Sequence, residues 1–166
     1  MKTVVFVGCG KSKLSHAAPA KDLYTSTLFK KCRAYAERYG DEWAILSAKH
    51  WLVLPDTVIE PYDVCLEDFD RSRLQGWIHG TQYDIVTTWD PETTKYICLG
   101  GALYSLAFTG YPRHLRVELP MCHLGLGERL QFLTRENAMA RNDARNAESV
   151  PGVASGILTK QKSKKN

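Results

Sequence analysis

Short apolar runs along this chain alternate with segments of helical periodicity. Residues 3–7 are β-branched or aromatic and stop at a glycine, which is typical of a buried parallel strand. Residues 26–39 repeat apolar positions at helical spacing, with Ser26 placed to cap the start and Gly40 just past the end. Residues 43–46 predict a second strand. The first third of the chain therefore reads as strand, helix, strand.

The same alternation continues toward the C-terminus. Apolar spacing predicts a helix over residues 66–80 and another over 124–140. Strands are predicted at residues 83–88, 96–99 and 114–119, and a short helix after Gly100 and Gly101. Strands that alternate with helices favour an α/β fold, a three-layer α/β/α arrangement around a mostly parallel sheet.

Residues 51–63 fit neither pattern. Pro55 and Pro61 stand where a helix or a central strand would not accept them, so a structured loop is predicted. The segment is too apolar for a free linker, and long loops in compact domains are usually functional or disordered.

Composition adds limits to this picture. The hydrophobic fraction of 44% is average for a globular protein, and residues 1–147 fit one domain. No apolar run approaches the ~20 residues of a membrane span, so no membrane association is expected. The five cysteines are odd in number and include no C-x-x-C pair, which favours reduced thiols and a cytoplasmic location.

Positive charge is concentrated at the C-terminus. The chain has 22 basic and 18 acidic residues, and four lysines stand at positions 160, 162, 164 and 165. Without these lysines the body is neutral, at 18 basic against 18 acidic residues. We expect residues 148–166 to form a flexible basic tail, so that any positive groove in the body must gather its charge locally.

In an open parallel sheet, ligands bind beyond the carboxyl ends of the strands. This rule selects residues 8–13, 47–63, 89–90 and 120–129. The first segment has two glycines that allow close backbone approach and two lysines that could meet an anion, although the spacing of a P-loop is absent. A simple strand-to-loop turn with solvated lysines explains it equally well. Its candidate ligand-binding residues are Cys9, Gly10, Lys11, Ser12 and Lys13.

The segment 47–63 holds the catalytic candidates. Its carboxylates Asp56, Glu60 and Asp63 could stabilise a cationic transition state or orient water, and His50 could transfer a proton. The alternative is that the carboxylates cap turns and the histidine is structural. The binding candidates in the same segment are Ser47, Lys49, Trp51 and Tyr62.

Two further interpretations of these residues are discounted. Ser47 lacks the G-x-S-x-G context of a hydrolase nucleophile, and the spacing of Cys9, His50, Cys122 and His123 matches no zinc motif. We therefore expect neither a metal ion nor a cofactor.

Residues 120–129 offer a third candidate anion contact. Gly125 and Gly127 stand at the amino end of the predicted last helix, whose free N–H groups could hold a phosphate, with Arg129 one turn in.

Together, five motifs resemble an uncharacterised domain family of phages and bacteria. They are CGKSK (9–13), LYTS (23–26), SAKH (47–50), PDTVIEPYD (55–63) and LGLGER (124–129), and the likeness covers most of residues 3–133. That family is distantly similar to the YaaA peroxide-stress DNA-binding proteins, through the loop from Ser47 to Tyr62. It is also similar to the C-terminal region of archaeosine synthases, whose fold is likened to uracil-DNA glycosylases. The chain departs from the family pattern at Trp51, where glycine is expected.

The resemblance implies chemistry on a nucleobase, with cleavage or exchange of an N-glycosidic bond and nucleic acid, DNA foremost, as partner. Asp56, Glu60 or Asp63 would supply the carboxylate, and Tyr62 or Trp51 would stack on an extruded base. The anion contacts would come from Lys11, Lys13, Lys49 and Arg129. Two alternatives remain open: a non-catalytic DNA-binding protein, and an enzyme that acts on a free nucleotide or nucleoside.

Overall fold

A computed structural model describes residues 1–148, in which a five-stranded sheet lies between two layers of helices. The predicted α/β class with a three-layer arrangement is confirmed. The strands are β1 (Lys2–Gly8), β2 (Ala18–Pro19), β3 (Glu42–Ser47), β4 (Trp51–Val53), β5 (Val58–Ile59), β6 (Thr94–Cys98) and β7 (Val117–Glu118). The helices are α1 (Ala20–Leu23), α2 (Thr27–Tyr39), α3 (Arg71–Thr88), α4 (Ala102–Ser105) and α5 (Leu126–Glu148), with 3-10 turns at Leu66–Asp68 and Leu106–Phe108.

The main sheet has the strand order β4-β3-β1-β6-β7 and is mostly parallel. β1 runs parallel to β3 on one side and to β6 on the other, and β6 runs parallel to β7. Only the edge strand β4 is antiparallel to its neighbour within the described sheet. β2 and β5 form a separate antiparallel pair.

The apolar run of β1 is buried on both faces of the sheet. Val5 and Val7 pack with α2 and α5, whereas Val4 and Phe6 pack with the side chains of α3. None of the four is exposed to solvent. A strand covered on both faces needs a continuous apolar run, and this is why residues 3–7 predict a buried strand.

Four sequence predictions correspond closely to observed elements. Residues 3–7 lie in β1, residues 26–39 form α2, residues 43–46 lie in β3 and residues 96–99 overlap β6. Ser26 is the N-cap of α2, because its Oγ accepts a hydrogen bond from the Phe29 N–H at 3.1 Å.

The strand predicted at residues 83–88 is wrong, because these residues form the last turns of α3. Trp77, Thr81 and Ile85 of this helix are buried at a spacing of four residues, which places them on one helical face. Gly80 suggested a break but lies within the helix. A Cβ there would stand 2.8 Å from the Trp51 ring, so this glycine provides room for a tertiary contact.

Other boundaries are also corrected. The predicted loop 51–63 contains β4 and β5, and α3 begins only at Arg71 after a 3-10 turn. The strand expected over 114–119 shortens to β7. The final helix starts at Leu126 and continues to Glu148, eight residues past the predicted end at 140. Of the predicted tail, residues 149–166 lie outside the described residues.

Candidate functional site

The sheet has a topological switch point between β1 and β6. From β1 the chain proceeds through α2 to β3, while β6 lies on the opposite side of β1 and leads to β7. The loops that follow β1 and β6 therefore leave in different directions and open a crevice at the carboxyl ends of these strands. Such crevices are where open α/β sheets bind ligands.

This switch-point crevice has a volume of about 270 Å³. Three of the four segments selected from the sequence contribute to the crevice: the loop after β1, the end of segment 47–63, and the first turn of α5. Its lining residues are Cys9, Gly10, Lys11, Lys13, Asp63, Val64, Cys65, Glu67, Asp68, Tyr104 and Arg129.

Two smaller spaces adjoin the crevice through Tyr104 and Arg129, which line all three. One, of about 230 Å³, extends along Leu66 and α4. The other, of about 60 Å³, lies beneath the strand ends and is called the glycine lobe here. It is lined by Gly8, Cys9, Gly10, Ser26, Leu28, Phe29, Cys32, Leu99, Gly100, Gly101, Tyr104 and Arg129.

Tyr104 packs directly on glycine backbone at the switch point. A Cβ at Gly8 would lie 3.1 Å from the Tyr104 ring, and a Cβ at Gly100 would lie 2.4 Å from the Cβ of Tyr104. The Tyr104 hydroxyl lies 3.0 Å from the Cys9 Sγ. Burial, followed by the nearby Cys9, raises the pKa of Tyr104, so its hydroxyl stays protonated at neutral pH.

Arg129 brings a positive charge to the junction of the three spaces. A Cβ at Gly101 would lie 2.9 Å from the Arg129 Nη1, so the glycine allows the guanidinium to lie against the backbone. Its Nε is buried and has no hydrogen-bond partner among the described residues. An unpartnered donor at the base of a crevice is the group that an anionic ligand would satisfy.

Two lysines stand on the β1 side of the crevice. Lys13 Nζ donates hydrogen bonds to the carbonyl of Gly10 at 2.9 Å and lies 4.4 Å from the centre of the Tyr62 ring. Lys11 Nζ forms an exposed ion pair with Glu67 at 3.3 Å. Hydrogen bonds from Cys65 and Lys11 lower the pKa of Glu67, which remains ionised at neutral pH.

A buried chain of hydroxyl groups supports this side of the crevice. The Tyr62 hydroxyl is hydrogen bonded to Tyr24 at 2.6 Å and to Ser47 at 2.7 Å. Burial raises the pKa of both tyrosines. Lys13 Nζ lies over the Tyr62 ring, and the His50 ring lies perpendicular to it at a centroid distance of 5.3 Å. Tyr62 therefore links several loops through its hydroxyl and its ring.

The three candidate carboxylates are not brought together. Only Asp63 lines the crevice. Asp56 forms an ion pair with Lys21 at 2.5 Å and lies beside Trp43, at the amino end of β3. Glu60 is exposed just past β5 and does not line the crevice.

The residues that follow β3 are mainly structural in this arrangement. Ser47 is fully buried, and its Oγ accepts the N–H groups of Lys49 and His50, as a turn cap does. His50 is exposed and lies outside the crevice lining. Partial desolvation of the imidazole, and then the charge of Lys49, lower the pKa of His50. Trp51 is 45% exposed and lies against Gly80 of α3.

The remaining predicted ligands lie at the margins. Ser12 is exposed, and its carbonyl accepts the Thr25 N–H. Lys49 is exposed, with its Nζ 5.8 Å from the Tyr62 ring centre. Gly127 is exposed, and Gly125 donates its N–H to Glu128 Oε2 at 2.8 Å, so part of the free amino end of α5 is already capped by its own chain.

A wider cavity of about 600 Å³ lies at the opposite end of the strands. Its charged side chains are already engaged: Glu42 pairs with Lys2 and accepts from Trp89, and Asp56 pairs with Lys21. Because these groups satisfy one another, we take the switch-point crevice as the candidate functional site. There the Arg129 Nε has no hydrogen-bond partner among the described residues.

Sequence reasoning missed Gly101, Tyr104, Cys65 and Glu67. The glycine pair after β6 was visible, but residues 83–88 were interpreted as a strand, so the loop at 89–90 was selected instead. Trp89 in fact lines the cavity at the far end of the sheet. Cys65 and Glu67 reach the crevice only through tertiary folding.

Residues 4–135 match a family described as of unknown function, DUF6884. The chain belongs to this family. This confirms the resemblance to an uncharacterised domain family. The DUF6884 chain is also 30% identical over 149 residues to the uncharacterized protein YfjM of Bacillus subtilis (strain 168). The match covers 81% of this chain and 95% of YfjM. No solved structure gives a significant match.

Two findings concern metals and membranes. Within residues 1–148, no three His, Cys, Asp or Glu side chains are grouped so that they could hold a metal ion. Across the same residues, no helix combines the length and the apolar character needed to cross a bilayer.

Proposed function

We propose that this protein is a base-excision or base-modification enzyme that acts on the N-glycosidic bond of a nucleotide unit held in the switch-point crevice. One observation carries the proposal: Asp63 lines the same cavity as Lys11, Lys13 and Arg129. Cleavage of this bond needs a carboxylate for the oxocarbenium-like sugar and cations for the phosphate.

The proposed reaction is hydrolysis at the anomeric carbon C1′. The C1′–N bond breaks, and its electron pair leaves with the base, which takes up a proton from solvent. Water adds to C1′ and gives a proton to Asp63, which returns it to solvent, so that the products are the free base and the sugar bearing a hydroxyl group. Asp63 thus first stabilises positive charge on the sugar and then acts as general base.

The size of the crevice also supports a single nucleotide unit. At about 270 Å³ it falls just below the ~300 Å³ at which binding pockets for drug-sized molecules begin, so it suits one base and sugar. The resemblance to YaaA proteins and to the glycosylase-like region of archaeosine synthases supports the same class of substrate.

Replacement of single carboxylates tests the proposal. Candidate substrates, as modified DNA and as nucleotides, are screened for base release by mass spectrometry, and the active one is used for kinetics. We expect Asp63→Asn to lower kcat about a hundredfold or more while leaving substrate affinity nearly unchanged.

Asp56→Asn and Glu60→Gln serve as matched controls, because both change a carboxylate of the same loop outside the crevice. They are expected to retain full activity. Full activity of Asp63→Asn would contradict the mechanism. A protein that binds DNA but releases no base from any substrate would instead be a non-catalytic binding protein.

A further inference from the structure

Among residues 1–148, the glycine lobe is lined by only one charged group, the guanidinium of Arg129. No carboxylate of these residues lines the lobe, in contrast to the adjoining crevice with Asp63, Glu67 and Asp68. The buried Nε of Arg129 lacks a partner within residues 1–148. The charge on the lining of the lobe is therefore positive, and the side chain that carries it has an unsatisfied donor.

The amino end of α2 provides further donors. Ser26 and Leu28 line the lobe, so the first turn of this 13-residue helix faces it. In the described part of the chain, neither the Thr27 N–H nor the Leu28 N–H has a hydrogen-bond acceptor. The helix dipole adds partial positive charge at this end, which favours an anion.

The volume of the lobe suits a small anion. Roughly 10–15 Å³ of such space holds one water molecule, so 60 Å³ holds about four to six. The five heavy atoms of a phosphate group fall within that range. The four glycines keep the lobe open, since a side chain on them would project toward Tyr104, Ser26 or Arg129.

The inner wall of the lobe is closed by the apolar side chains of Phe29, Cys32 and Leu99, each at most 3% exposed. A bound phosphate can therefore carry no substituent toward this wall, which leaves less room for two substituents than for one. An internal phosphodiester has two substituents that lead away, whereas a terminal phosphate has one.

We propose that the glycine lobe is a subsite for the terminal phosphate monoester of a nucleotide whose sugar and base occupy the switch-point crevice. The inference rests on the proposed function and specifies its substrate: a nucleotide with a terminal phosphate, either free or at the end of a strand.

Phosphate binding is measured independently of turnover. The full chain is titrated with methyl phosphate and with dimethyl phosphate, and binding is detected by calorimetry and by ³¹P NMR. Methyl phosphate is expected to bind, and dimethyl phosphate at least tenfold more weakly. Equal affinity for the two probes would overturn the assignment to a monoester.

Arg129→Met is expected to weaken binding of methyl phosphate at least tenfold, with partial retention in Arg129→Lys, since a lysine supplies charge without the planar fork. Arg116→Met is the matched control, because Arg116 is exposed and lines none of the three spaces; it should bind as the parent does. Unchanged binding by Arg129→Met would refute the site.

Gly101→Ala tests the same site without removing the charge. Its added Cβ would stand 2.9 Å from Nη1 and displace the guanidinium, so binding should weaken while the thermal midpoint shows whether the fold is intact. Because this variant retains Arg129, parent-like affinity for methyl phosphate would count against the lobe.

Competition identifies the source of the phosphate. The four 5′-mononucleotides and a 5′-phosphorylated oligonucleotide are each tested for displacement of methyl phosphate. Displacement by a mononucleotide assigns a free nucleotide as the ligand, and displacement by the oligonucleotide assigns the end of a strand. If neither displaces methyl phosphate, the subsite is contradicted.

Asp63→Asn should retain methyl phosphate binding, so loss of turnover and loss of this subsite are separate outcomes.

Discussion

Trp51 combines backbone strain with a tertiary contact. Its φ of 65° lies in the left-handed region that favours glycine, which agrees with the expectation of glycine at this position in related sequences. The indole ring lies where a Cβ on Gly80 would project. One large residue and one glycine are thus matched across β4 and α3.

The contact between Trp51 and Gly80 predicts that Gly80→Ala changes the free energy of unfolding in opposite directions with and without the Trp51 side chain. Gly80→Ala should lower the free energy of unfolding by about 1–3 kcal/mol, because the new methyl group would meet the Trp51 ring at 2.8 Å. In a Trp51→Gly background the clash is absent, and the same substitution should stabilise by about 0.5–1 kcal/mol through helix propensity. Urea denaturation of the four proteins measures the coupling.

Gly76→Ala is the matched control within the same helix, because a Cβ there meets no atom within 4 Å. It should stabilise the parent and the Trp51→Gly protein equally. If Gly80→Ala had the same effect in both backgrounds, the proposed contact would not exist.

Single residues also show where sequence reasoning ends. The local roles of Ser26 as N-cap and Gly40 as helix terminator depend on neighbours within a few positions and were predictable. Ser47 has the residue type of a nucleophile, yet it is fully buried and caps a turn. Its hydroxyl is also hydrogen bonded to Tyr62, which is 15 residues away in the chain and which no local pattern connects to it.

At the scale of elements, α3 shows how a local pattern can be misinterpreted. Residues 83–88 are rich in β-branched side chains, which favour strands. They form helix because Trp77, Thr81 and Ile85 are buried together on one face, and tertiary packing outweighs intrinsic propensity.

A substitution at Val86 distinguishes a helix from a strand at residues 83–88. Val86 is 37% exposed, so Val86→Ala loses little packing and should raise the free energy of unfolding by roughly 0.5 kcal/mol, since alanine has the higher helix propensity. Thermal denaturation measures the shift. Val58→Ala, at a 63% exposed position of β5, is the control and should be neutral or destabilising. A destabilising Val86→Ala would argue for a strand at this segment.

The edge strand β4 explains which carboxylate reaches the crevice. Because β4 is antiparallel to β3, it carries the chain back toward the amino end of the sheet, where Asp56 meets Lys21. The chain then returns through β5, so that Tyr62 meets Ser47 and Asp63 lines the crevice. Three carboxylates within eight positions are therefore divided between the two ends of the sheet.

For the whole molecule, charge is distributed unevenly between the body and the C-terminus. Lys160, Lys162, Lys164 and Lys165 account for the net charge of +4, and they lie outside the described residues. The cations of the crevice, Lys11, Lys13 and Arg129, belong to the body. Long-range attraction of polyanions and local binding of a phosphate can thus be separated by mutation.

Deletion of residues 160–166 tests this separation. If the protein binds a polynucleotide, the deletion should weaken binding and reduce the salt dependence by up to about four phosphate equivalents, with a change in slope of ~0.9 for each. Turnover at saturating substrate should be unchanged. Fluorescence anisotropy across a salt series makes the measurement, with methyl phosphate affinity as the internal control. An unaltered slope would exclude the tail from polynucleotide binding.

The sequence by itself determined the α/β class, the buried first strand, α2 with its cap, and the loops after β1 and before α5. Each of these depends on contacts between near neighbours or on burial of a continuous apolar run. Only the tertiary structure decided that residues 83–88 are helical, that Asp63 rather than Asp56 lines the crevice, and that Tyr104 and Arg129 join its three spaces. These outcomes depend on groups distant in the chain, such as Trp51 with Gly80 and Gly101 with Arg129, whose proximity no local pattern encodes.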